Sequence, residues 1–104
     1  TYLVVGETQT SNVGSVHIYK HSGSNGDFEW KQTIVAGDSS TWRNWPETVG
    51  ISPDCETIAA SMAESSSTTI GGNIMVYEET GSGTSTFSLS KTFNDDDVSG
   101  CTYH

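Results

Sequence analysis

Gly14-Ser15-Val16-His17-Ile18-Tyr19 and Gly72-Asn73-Ile74-Met75-Val76-Tyr77 lie 58 residues apart. In both, a glycine leads into β-branched residues at alternate positions, and a tyrosine closes the stretch. Successive side chains of a strand point to opposite faces, so each stretch reads as a strand with one consistently apolar side. Gly23 and Gly81 keep the same spacing. The correspondence continues outward. Tyr2-Leu3-Val4-Val5-Gly6 precedes the first stretch as Ile58-Ala59-Ala60-Ser61-Met62 precedes the second. Phe28 to Val35 follows the first as Phe87 to Phe93 follows the second. Two series of strands therefore run in the same order.

Between the series lies one more strand, Thr48-Val49-Gly50-Ile51-Ser52. It has no counterpart before Tyr2, and its second copy would begin just after His104. The expectation is seven strands, three and then four, built on a four-stranded antiparallel unit. No window holds apolar residues at i, i+3, i+4 and i+7 for long enough to make a helix. Clusters of Gly, Ser, Asn and Asp separate the strands, where positive φ and local side-chain hydrogen bonds are useful. Ser22-Gly23-Ser24-Asn25-Gly26-Asp27 is the clearest hairpin loop, and Ser52-Pro53-Asp54 reads as a tight turn.

Composition agrees with this reading. The 104 residues include 16 Ser, 14 Thr and 11 Gly, a mixture that favours short strands and turns over helices. Thirteen acids against four bases give a net charge of -9. That excludes a general nucleic-acid binder, which needs a basic footprint, and disfavours docking on anionic membrane. No apolar run is long enough to span a bilayer. A chain starting at Thr1 is what processing or excision from a longer chain leaves. Two cysteines, Cys55 and Cys101, suit an oxidising compartment. The tracts Ser65 to Thr69 and Gly81 to Ser85 are either sites for O-glycans or plain loops.

A period of this length lies in or slightly above the range of propeller blades. Residues 28–36 resemble the outer strand and exit of an FG-GAP-type, integrin-alpha-like β-propeller repeat. Residues 45–54 resemble its innermost strand and turn, residues 57–61 its second strand and residues 71–77 its third. Trp45-Pro46 stands where that family has Phe-Gly, and Cys55 where its turn has glycine. The resemblance implies a partial blade over 1–47, a complete blade over 48–93 and an acidic connection over 94–104. Blades bury their faces only against neighbours, so it implies a fragment or protomer of a larger ring. A self-contained seven-stranded β-sandwich is the alternative.

Candidate chemistry is sparse. Asp95, Asp97 and Ser99 alternate before Gly100, the first half of a Ca²⁺ loop with hard oxygens and a turn glycine. The same run also reads as a solvated acidic loop. Trp42, Arg43 and Trp45 form an aromatic and basic cluster beside the inner strand, suited either to stacking on a protein or glycan or to covering the sheet rim. Cys101 and His104 have zinc-pair spacing but are too few for a four-coordinate site. His17 is expected in a strand and His21 in the turn after it. Glu7 and Glu64 follow equivalent strands and read as one loop residue occurring twice. In the propeller layout Cys55 and Cys101 fall at opposite strand ends, so no bridge between them is expected. No catalytic set emerges. The expected role is a non-enzymatic, extracellular structural or adhesive scaffold offering loop faces to protein or glycan, with Ca²⁺ as the one candidate cofactor. Its expected partners are further blades of the same chain or of sister subunits. The alternative is a piece of a glycan-active hydrolase or of a calcium-dependent glycan binder.

Overall fold

The computed structural model describes residues 1–8, 14–22, 26–35, 45–64 and 71–94. Among them the chain is all-β, with seven strands in two antiparallel sheets. Strands β1 (Tyr2–Glu7), β2 (Ser15–Ser22) and β3 (Asp27–Ile34) form the first sheet, in that order. Strands β4 (Thr48–Ile51), β5 (Thr57–Glu64), β6 (Gly71–Glu79) and β7 (Phe87–Asn94) form the second. This three-then-four arrangement is the one the alternating pattern predicts. Strand β2 runs further than expected. His21 is not in a turn but paired with Phe28, and the two rings meet edge to face at 5.3 Å.

The two sheets carry the same pairing pattern. Ile18 faces Gln32 and Tyr19 faces Trp30, so Lys31 is skipped in a bulge. Val76 faces Lys91 and Tyr77 faces Leu89, so Ser90 is skipped in a second bulge. Counted along β2 and β6, the two bulges thus fall 58 residues apart. On the other side Val4 pairs with Ile18 and Gly6 with Val16, while Ala59 pairs with Val76 and Ser61 with Ile74. A bulge bends its strand and increases local twist. Two bulges at matching positions therefore give the sheets similar curvature, a condition for close stacking.

The core lies between the sheets. Val16, Ile18 and Ile34 of the first sheet cluster with Ile58, Ala60, Met75, Tyr77 and Phe87 of the second. Tyr2, Val4, Val49 and Ile51 pack around them. At one end the Tyr2 ring meets Phe87 edge to face at 6.0 Å, and its hydroxyl hydrogen-bonds Ser85 at 2.9 Å. Gln32 fastens the outer strands. Its carboxamide donates to the Phe87 carbonyl at 2.9 Å and accepts from the Phe87 amide at 2.7 Å. A side chain of the first sheet thus does for β7 what another strand would do. It also satisfies two backbone groups beside the core.

Two backbone features fix the connections. The Gly14 amide donates to the Trp45 carbonyl at 2.8 Å. A Cβ there would lie 1.8 Å from the Glu7 carbonyl oxygen, so only glycine permits this approach. In the β4–β5 turn, the Cys55 amide donates to the Ser52 carbonyl at 2.8 Å, with Pro53 presetting φ. Cys55 itself sits at φ 63°, a left-handed conformation that favours glycine. Asp54 Oδ1 accepts from the Ser52 hydroxyl at 2.5 Å and from the Glu56 amide at 3.0 Å. These donors, the Ser52 hydroxyl foremost, hold the Asp54 carboxyl below its ordinary value of 3.8.

Gln32→Ala should lower the unfolding free energy by roughly 1–3 kcal/mol, since it strands both Phe87 backbone groups. Gln32→Glu should destabilise as well: it keeps the bond from the Phe87 amide but sets a second carboxylate oxygen against the Phe87 carbonyl. Urea denaturation of the three proteins checks both losses. Cys55→Gly should raise stability by up to about 1 kcal/mol by relieving the left-handed strain, read from the urea midpoint under reducing conditions.

Candidate functional site

Of the candidate site residues picked out by composition and spacing, Trp45 is among the described residues. Asp95, Asp97, Ser99, Trp42 and Arg43 lie outside the described residues, as do Cys101 and His104. Trp45 is fully buried in the core cluster. A ring with no exposed surface has no face to offer a ligand, so for Trp45 the packing expectation replaces the binding one. Its indole Nε1 has no hydrogen-bond partner among the described residues. Cys55 is a free, half-buried thiol. No group of three His, Cys, Asp or Glu side chains among the described residues is arranged to hold a metal ion.

The outer face of the first sheet does bring functional side chains together. Pairing in β1, β2 and β3 puts Leu3 beside Tyr19, Tyr19 beside Trp30, and His17 between Val5 and Thr33. Trp30 Nε1 donates to Thr33 Oγ1 at 3.0 Å, and Thr33 Oγ1 is 3.0 Å from His17 Nδ1. His17 Nε2 lies 3.2 Å from Glu7 Oε2. One proton arrangement satisfies the whole line. Thr33 accepts from Trp30 and donates to Nδ1, which leaves the imidazole proton on Nε2 to be donated to Glu7. The indole N–H of Trp30 and both ring nitrogens of His17 are thereby engaged within the sheet. Glu7 therefore has a definite partner in His17. The side chain of Glu64 falls outside what is described, so the two are not compared.

The outer face of the second sheet presents Ile74, Val76 and Phe93, with the Lys91 ammonium 4.6 Å from the centre of the Phe93 ring. A cleft of about 290 Å³ lies at one end of this sheet, lined by Glu56, Thr57, Glu78, Glu79, Thr80, Gly81 and Ser82. Its carboxylates have no base among the lining residues, and Glu79 is engaged by the Thr84 amide at 3.1 Å. The cleft offers neither a nucleophile paired with a base nor an acid and base of distinct environment.

Comparison of the chain with family models, curated proteins and solved structures finds no match to any of them.

Which faces meet inside the molecule is therefore the informative geometry. Val16, Ile18 and Ile34 turn toward the second sheet, whereas their positional counterparts Ile74, Val76 and Phe93 turn away from the first. Ile58, Ala60 and Phe87 are buried, whereas their counterparts Leu3, Val5 and Phe28 face outward. The exposed side chains Leu3, Val5, Phe28, Ile74 and Phe93 are between 38% and 46% exposed, and their counterparts at most 7%. Sequence reasoning missed this, because both parities of β1 are apolar and neither marks the buried side.

Burial at this interface pushes the Tyr77 phenol up to about 12. A phenol whose folded value is raised adds stability below its ordinary value of 10.0, and that stability is lost as pH rises through 12. Alkaline unfolding should therefore steepen between those values. Tyr77→Phe should flatten that portion of the stability curve, measured by urea melts across the alkaline range.

Proposed function

We propose that this chain is a segment of an extracellular, non-enzymatic β-propeller of the FG-GAP type, a structural or adhesive scaffold. Its sheets are blades stacked in series, and its loops are held on that frame for protein or glycan ligands. One observation carries the reading: the outward apolar residues occupy the counterpart positions of the buried ones. A two-layer sandwich buries its inner faces and turns polar residues outward. Serial blades instead meet front to back, so each end of a short run is left with one apolar face uncovered. The matching bulges and the expected strand between the two series support the same reading.

In this reading Trp42 and Arg43 are ligand-facing loop residues, and Asp95, Asp97 and Ser99 supply oxygens for Ca²⁺. The remaining partners are further sheets of the same kind. The alternative, a piece of a glycan-active hydrolase, places catalytic residues on other blades. Probing a glycan array and a panel of purified matrix proteins, with and without chelator, tests the scaffold role. The expected result is binding without turnover of chromogenic glycosides, weakened at least tenfold by Arg43→Ala. Turnover would move the protein to the hydrolase reading, and absence of any binding would remove the loop-ligand role.

A further inference from the structure

The contact between the two sheets is built from non-equivalent faces. Such a contact does not close on itself as a two-fold contact does, and it leaves its two halves free at opposite ends. At one end is the outer face of the first sheet, with Leu3, Val5, Tyr19, Phe28 and Trp30. At the other is the outer face of the second sheet, with Ile74, Val76 and Phe93. We propose that these two faces seat on each other between copies of this chain, the second sheet of one copy on the first sheet of the next. The inference rests on the stacked-blade reading and names the neighbour.

The contact inside the chain is the template. Ile74, Val76 and Phe93 take the places of Val16, Ile18 and Ile34. Leu3, Val5, Tyr19 and Phe28 take those of Ile58, Ala60, Tyr77 and Phe87. His17 replaces Met75, and on the opposite face Thr57 replaces Tyr2. The two ring nitrogens of His17 are already engaged by Glu7 and Thr33, so covering it strands neither of them. Lys91 stands where Gln32 stands, and Phe28 occupies on β3 the place that Phe87 holds on β7. The Lys91 ammonium therefore takes over one half of the Gln32 fastening, donating to the Phe28 carbonyl. Both faces occur among the described residues, so two copies offer each other complementary surfaces. The stack ends in a ring if its rotation closes and in a filament if it does not.

The net charge of -9 repels copies over a screening length of about 10 Å at 0.1 M salt, so added salt should tighten this apolar contact. Sedimentation analysis of the full chain over rising concentration is the test. Wild type should form species heavier than monomer. Ile74→Glu and Val5→Glu each place a charge on a side chain already exposed in the single chain, and each blocks a different face. Each variant alone should stay monomeric. An equimolar mixture should stop at twice the monomer mass, because one blocked copy still offers the face that the other still accepts. The dimer in the mixture also shows that both variants are folded. A monomeric wild type, a variant that associates alone as wild type does, or a mixture that stays monomeric would overturn the proposal. None of these outcomes bears on ligand binding by the loops, so the scaffold role stands or falls separately.

Discussion

Front-to-back packing of two twisted sheets is the constraint on which the structure depends. Each of Val16, Ile18 and Ile58 is fully buried at this contact, worth about 1.5–3 kcal/mol apiece relative to exposure. A chain with 33% hydrophobic residues has few such groups from which to make a core. Among the described residues, nine of them form one buried cluster that includes Trp45 and Phe87. Everything else follows from keeping that cluster intact. The bulges match the curvature of the sheets, the Gln32 carboxamide closes the outer edge, and the Tyr2–Ser85 hydrogen bond sits beside the Tyr2–Phe87 ring contact.

Much of this architecture was legible in the chain. Alternation in residues 14–19 and 72–77 located β2 and β6, and the spacing between them located their neighbours. The turn at Ser52 to Cys55 was legible too, because proline and a short polar cluster have a direct backbone meaning. What could not be read was the side of each strand that meets the partner. In β1 the inward Tyr2 and Val4 alternate with the equally apolar Leu3 and Val5. Alternation marks a buried side only when the other side is polar.

The candidate sites were less legible for a related reason. Trp45 follows Trp42 and Arg43 in a stretch without periodicity, and nothing in that stretch separates a core ring from a surface ring. Gln32 looked like an ordinary polar member of an outer strand, yet it bonds a residue 55 positions away. The line from Glu7 through His17 and Thr33 to Trp30 joins three strands and appears only once the register is known. Long-range side-chain pairing of this kind leaves no local trace in a sequence.

The Gly14 contact has a consequence for ancestry. A peptide plane wedged between the Glu7 and Trp45 carbonyls has no room for even a methyl group, so mutational drift is arrested at that point whatever happens to the surrounding loops. Distant cousins of this chain should thus be traceable by a single immovable glycine at the mouth of a strand, even where every aromatic and acidic landmark has been erased.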